Sequence, residues 1–217
     1  MKKKLLLIFF IVLIVIFLII LINRTDDINE IVNNTINNSD EYKYTLTFKY
    51  TYYKENEKMV NEIKYIEQKK NNLYKFTNQI FDNNTLTRET ISYLDGSKYY
   101  YKENDKYKEK ELKDIDSVKD FDIDLKEFFS NIKNISRYKV ENNKKYYKTK
   151  MKSEDAFSLI YNNSKNSNLD KYTNRVIITA NNNSIEDINF KVYENQNNYT
   201  VNLKIDVGLQ DIKLDIK

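Results

Sequence analysis

The chain has no cysteine, histidine, proline or tryptophan, and two glycines in 217 residues. Each absence removes a class of chemistry. Without cysteine there is no disulfide framework, no thiolate nucleophile and no cysteine-linked lipid anchor. With histidine missing as well, typical zinc sites and the ordinary nucleophile–histidine triads are excluded. Gly96 and Gly208 alone cannot build a phosphate-cradling loop. Bulk positive charge is lacking too. The formal net charge is +4, and setting aside Lys2, Lys3 and Lys4 leaves 33 basic against 32 acidic residues. Lys is interspersed with Glu and Asp along the chain, so nucleic acid, which takes a clustered basic face, is not an expected partner.

Asn, Lys, Ile and Tyr are abundant, whereas Ala, Arg, Gly and Pro are scarce. This bias follows AT-rich codons and points to an AT-rich bacterial genome. It accounts for Asn runs such as Asn181–Asn183, and for the Asn-x-Ser/Thr triplets beginning at Asn33, Asn37, Asn83, Asn134, Asn162, Asn182 and Asn198.

Leu5 to Ile22 is 18 residues without a polar side chain. As a helix it is about 27 Å long, close to the hydrocarbon thickness of a bilayer. No small-x-small cleavage site follows it, so the run reads as an uncleaved signal anchor rather than a signal peptide. Three Lys precede it, and Arg24 followed by Asp26 and Asp27 comes after. That asymmetry predicts a cytoplasmic N-terminus and an extracytoplasmic remainder. The expected division is 1–23 transmembrane anchor, 24–41 linker or short helix, and 42–217 extracytoplasmic β-rich domain. In the second of these, Thr25 as cap and Ile28, Ile31, Val32 and Ile36 as an apolar stripe describe a short helix; a plain tether is the other reading.

From Tyr44 the hydrophobic period becomes two. Tyr44, Leu46, Phe48, Tyr50 and Tyr52 alternate with Thr45, Thr47, Lys49, Thr51 and Tyr53, which gives an aromatic face and a largely polar one. Met59, Ile63 and Tyr65, then Tyr74, Phe76 and Ile80, then Ile91 and Tyr93 continue the pattern. Asp95-Gly96 and Asn104-Asp105 mark hairpin turns. In the segment 120–133, Phe121, Leu125, Phe128, Phe129 and Ile132 fall on one helical face. A strand is expected around Tyr138–Thr149 and a second helix after Ser153. Four closing strands are expected at Val176–Ala180, Ile185–Tyr193, Tyr199–Val207 and Gln210–Ile216. The pattern predicts an α+β domain, a large one-faced antiparallel sheet with a few amphipathic helices to cover it.

Local motifs add no catalytic site. Asp120-x-Asp122-x-Asp124 starts like a calcium loop, but Leu125 and Asn131 stand where that loop needs Gly and an acid. Ser130-x-x-Lys133 and Ser136-x-x-Lys139 lack the companion motifs of penicillin-binding enzymes. The chain is expected to be no enzyme and to take no metal or cofactor.

Two stretches carry a likeness to a family. SYLDGSKYYYKENDKYKEKEL, Ser92–Leu112, and RVIITANNNSIEDINFKVYENQNNYTVNLKI, Arg175–Ile205, resemble the central and closing hairpins of the LolA/LppX-like lipoprotein-carrier superfamily. The resemblance implies a half-barrel, a curved antiparallel sheet with about three short helices on its concave side. It also implies a concave face that holds lipid or acyl chains. Candidate lining residues are then Leu46, Phe48, Tyr74, Phe76, Val201, Leu203 and Ile205, which read equally well as closed core. Two functions follow: a membrane-anchored protein that binds lipid or acyl groups, or a non-catalytic scaffold or sensor ectodomain contacting envelope proteins. An open apolar pocket of roughly 300–1,000 Å³ separates the first from the second.

Overall fold

The alternating row of Tyr42–Lys54 sits at the middle of a wide antiparallel sheet in the computed structural model. The structure describes residues 2–55, 57–119, 123, 125–132, 134–152, 173–194 and 197–208. Helix α1 spans Lys2–Asn37. Six strands follow: β1 Tyr42–Lys54, β2 Glu57–Lys70, β3 Leu73–Asp82, β4 Thr85–Asp95, β5 Lys98–Glu103 and β6 Lys106–Glu111. A 3₁₀ turn at Ile115–Ser117 and helix α2 at Leu125–Asn131 lead to β7 Ser136–Glu141 and β8 Lys144–Lys152. Strands β9 Thr173–Ala180, β10 Ile185–Glu194 and β11 Asn197–Val207 complete the described part.

Among the described residues these strands form one open sheet, ordered β6-β5-β4-β3-β2-β1-β11-β10-β9-β8-β7. The chain starts at the centre, meanders to one edge, crosses to the other edge, and returns to pair β11 with β1. Strands β6 and β7 are opposite edges, about 48 Å apart if the sheet were flat. The segment from Leu112 to Ile135 makes the crossing, and its Leu112, Ile115, Val118, Ile123, Leu125 and Phe128 all pack on the core. The crossing therefore covers the apolar face of the sheet. A large open antiparallel sheet with these helices on one face fits a half-barrel.

Asparagine makes the turns that glycine makes elsewhere. Asn83-Asn84, Asn104-Asp105 and Asn142-Asn143 each have positive φ at both residues and join strands whose last and first residues pair directly. That is the type I′ hairpin, whose two left-handed positions Asn and Asp tolerate best after Gly. At the Asp95-Gly96 signal the loop residues are Gly96 and Ser97, with Gly96 at φ 58° and Asp95 paired to Lys98.

The register lines up one rung of side chains across eight strands: Tyr147, Ile178, Ile188, Leu203, Leu46, Tyr65, Asn78 and Thr90. From Tyr147 to Tyr65 every member of this rung is essentially sealed from solvent. Two helices close over it. Ile28, Ile31 and Val32 of α1 and Leu125 and Phe128 of α2 are buried, at the i, i+3, i+4 spacing that gives a helix one apolar side.

Three expectations change. The helix expected to start at Thr25 is the continuation of α1, because no Pro or Gly interrupts the backbone between Ile22 and Asn37. The helix expected across 120–133 begins at Leu125, with Ile123 outside it in the crossing segment. The single strand expected around Tyr138–Thr149 is the hairpin β7–β8, turned by Asn142-Asn143. The helix after Ser153, the strand Gln210–Ile216 and the Asp120, Asp122 and Asp124 triplet lie outside the described residues.

Among the described residues no helix is long and apolar enough to cross a membrane. Within the apolar run the described side chains are Phe10–Leu18, all exposed.

Candidate functional site

The sealed rung opens at its β3–β4 end. Beyond Tyr65 come Asn78 and Thr90, and the next rung runs Tyr44, Glu67, Phe76, Ser92, Tyr101. These two rungs form a groove of about 680 Å³ lined by Tyr65, Phe76, Asn78, Ser92, Tyr99 and Tyr101, with Val118 contributed by the crossing segment. Arg88, Glu89, Lys102 and Asp105 line it as well. The groove exists because β5 pairs with β4 only over Ser92–Asp95, so that among the described residues the first half of β4 has no neighbour on that side. Tyr99 and Tyr101 stack at 5.8 Å between ring centroids, and Tyr74 and Phe76 at 6.0 Å. Aromatic bodies and hydroxyl tips together make an amphipathic lining, suited to a chain with a polar end.

Next to the groove, on the same rung, sits a buried carboxylate. Glu67 is 2 % exposed. It accepts the Tyr42 hydroxyl at 2.5 Å and the Tyr65 hydroxyl at 3.3 Å, and Lys119 of the crossing segment stands 3.6 Å away. Burial first, then the Glu67 charge and hydrogen bond, push the Tyr42 hydroxyl far above its ordinary value. Tyr42 thus stays a neutral donor, and Glu67 is held by two hydroxyls and one cation. The cluster fixes the crossing segment to the sheet.

A second groove, of about 650 Å³, lies between α1 and α2 and is lined by Ile28, Val32 and Ile36 on one side and Phe129, Ile132 and Ile135 on the other. Thr35 ties α1 to the sheet below. Its hydroxyl donates to the Ile31 carbonyl and accepts the Ile185 backbone N–H, each at 2.8 Å.

The residues expected to line a ligand site share one face. Leu46, Val201 and Leu203 are fully buried, and Ile205 and Phe76 nearly so. Phe48 and Tyr74 are partly buried against them. Phe76 alone of the seven lines the β3–β5 groove. Leu46, Val201, Leu203 and Ile205 belong to the core beneath the helices. Of the two Ser-x-x-Lys matches, the Ser130 hydroxyl donates to the Glu127 carbonyl at 2.7 Å, and Lys139 is engaged with Glu141. Among the described residues no cluster of acids is arranged to hold a metal ion.

Sequence reasoning missed Glu67, Tyr101 and Thr35. The first two had a visible signal. Glu67 is the charged member of the row that contains Ile63 and Tyr65, so it had to be buried and partnered. Tyr101 alternates with Tyr99 along β5. Thr35 had none, since its partner lies 150 residues away.

No family model matches this chain, and no curated protein matches its sequence. Solved structures do. LprF from Mycobacterium bovis is similar with a TM-score of 0.37 and 9 % identity, over 80 % of this chain and 90 % of that one. The Mycobacterium tuberculosis lipoprotein LppX is similar with a TM-score of 0.42 and 5 % identity, over 81 % and 91 %. A LolA-superfamily protein from Nitrosomonas europaea is similar with a TM-score of 0.29 and 10 % identity, over 88 % and 94 %. The likeness in each case is one of fold.

Proposed function

We propose that this protein is a membrane-anchored extracytoplasmic binder of lipid or acyl groups, working by contact rather than catalysis. The observation that carries the reading is the groove at β3–β5. Its volume of about 680 Å³ lies in the ligand-pocket range, and its lining includes Tyr65 and Phe76 of the buried face of the sheet. An acyl chain would lie along Tyr65, Phe76, Tyr99 and Tyr101, with its polar end toward Arg88 and Lys102. The core residues Leu46, Val201, Leu203 and Ile205 then shape the face without touching the ligand.

The anchor is supported by the sequence of Leu5–Ile22 and by the exposure of Phe10–Leu18. Three lysines before the run support a cytoplasmic N-terminus with the sheet outside.

A second reading is an envelope scaffold or sensor. It is favoured by the β7 edge, where Tyr138 and Val140 are exposed beside a strand with an open ladder side.

Native mass spectrometry of the full chain, released from detergent micelles and followed by solvent extraction, tests the first reading. The expected spectrum shows one lipid adduct, lost on Ser92→Trp, which fills the groove. A bare chain, or an adduct indifferent to Ser92→Trp, would refute groove binding and favour the scaffold.

A further inference from the structure

Charge is evenly mixed over most of the outer face of the sheet. Lys49 meets Glu62, Lys98 meets Glu109, and Lys204 meets Asp206. One region departs from this. Tyr147 of β8 faces the core, so Lys148, Lys150 and Lys152 project outward. Arg175 pairs with Lys150 across the β8–β9 ladder. Lys191 lies on the same face, two residues beyond Asn189, which pairs with Ile177. All five side chains are exposed, and among the described residues none has a carboxylate within ion-pair distance. The nearby acids are engaged elsewhere: Glu141 by Lys139, Glu186 by Lys144, and Asp187 by Asn189 and Asn202.

Amid this charge stands Tyr138, 41 % exposed, with the Lys148 ammonium 5.6 Å and the Arg175 guanidinium 5.8 Å from its ring centroid. Clustered cations around an exposed aromatic match an anionic bilayer surface, where the cations meet phosphates and the ring sits at headgroup level. The position fits as well. Ile135, next to β7, lines the same groove as Ile28 of α1, and Ser136 pairs with Lys148. The edge of the sheet that carries the patch is therefore the edge that α1 packs against from the other face.

We infer that the outer face around Lys148, Lys150, Arg175, Lys191 and Tyr138 docks the domain onto an anionic phospholipid surface. The inference rests on the anchored reading above: the helix tethers the domain, and the patch sets its orientation on the membrane.

The chain lacks tryptophan, so Tyr138→Trp in the full chain supplies a single reporter. The protein is reconstituted into vesicles of brominated phosphatidylcholine, with or without a third of the lipid replaced by phosphatidylglycerol. Strong quenching is expected only with phosphatidylglycerol. It should fade in high salt, as the screening length falls from about 10 Å at 0.1 M to about 3 Å at 1 M. Each Lys near such a surface contributes about five-fold in affinity, so Lys150→Gln with Lys191→Gln should weaken docking about 25-fold. Lys110→Gln, on the far edge, should change nothing. Equal quenching in both lipids, or indifference to Lys150→Gln with Lys191→Gln, would overturn the inference. Flotation separates it from the anchor. A chain that floats with neutral vesicles but shows no charge-dependent quenching loses the patch alone. One that floats only with anionic vesicles keeps the patch and loses the anchor.

Discussion

Replacing Tyr42 by Phe takes one hydroxyl from beneath the crossing segment and leaves the ring and its stacking on Tyr44 in place. The lost bond, 2.5 Å to a carboxylate that is 2 % exposed, is charge-assisted and dry. Its removal should cost about 1.5–3 kcal/mol at neutral pH. Glu67 keeps Tyr65 and Lys119, so the domain should remain folded. The pH dependence is the sharper part. Burial and Glu67 raise the Tyr42 hydroxyl far above the ordinary 10.0. A raised folded-state value gives stability that is complete below about pH 10 and declines above it, because there only the unfolded chain releases the proton. The decline is about 1.4 kcal/mol per pH unit for this one group. Tyr42→Phe lacks that contribution, so the two proteins should differ most at pH 7 and converge above about pH 11. Urea unfolding of the full chain in mild detergent, followed by far-ultraviolet circular dichroism from pH 7 to 11, reads both effects. Equal midpoints at pH 7 and parallel curves above pH 10 would refute the assignment of Tyr42 as the donor to a buried Glu67.

Three further outcomes are expected. Thr35→Val keeps the shape but leaves the Ile185 N–H buried and unpaired, costing about 1–3 kcal/mol, with faster hydrogen exchange at Ile185; unchanged protection there would disprove the α1–β10 tie. Leu203→Ala, at a fully sealed rung position, should lower stability by about 2–5 kcal/mol, and Leu203→Asp should prevent folding; an unaltered melting curve would place this row in solvent. Asn84, at φ 66°, should accept Gly without loss and lose about 1–2 kcal/mol as Val; equal stability of the two variants would contradict the left-handed turn.

The strands were legible because a half-buried sheet writes itself as period two. The β11 row from Tyr199 to Val207 and the β1 row from Tyr50 back to Tyr42 pair residue for residue. Their being neighbours was not legible, since pairing across 150 residues leaves no local trace. The Asn-Asn turns were hidden by composition: with Asn everywhere, Asn142-Asn143 did not stand out, and a hairpin read as one strand. The site divides in the same way. The aromatic wall was visible in β1, yet there Tyr42, Tyr44 and Leu46 are closed core. The uncovered stretch arises where β5 is short, a consequence of strand length at the edge rather than of any motif.

The most direct test of the account is photocrosslinking of the full chain with a diazirine-bearing fatty acid, mapped by mass spectrometry of its peptides. Adducts on Phe76, Tyr99, Tyr101 or Val118, diminished by unlabelled lipid and by Ser92→Trp, are the predicted result. Adducts confined to the Leu5–Ile22 run would contradict it, and would leave the sheet as a closed scaffold held at the membrane.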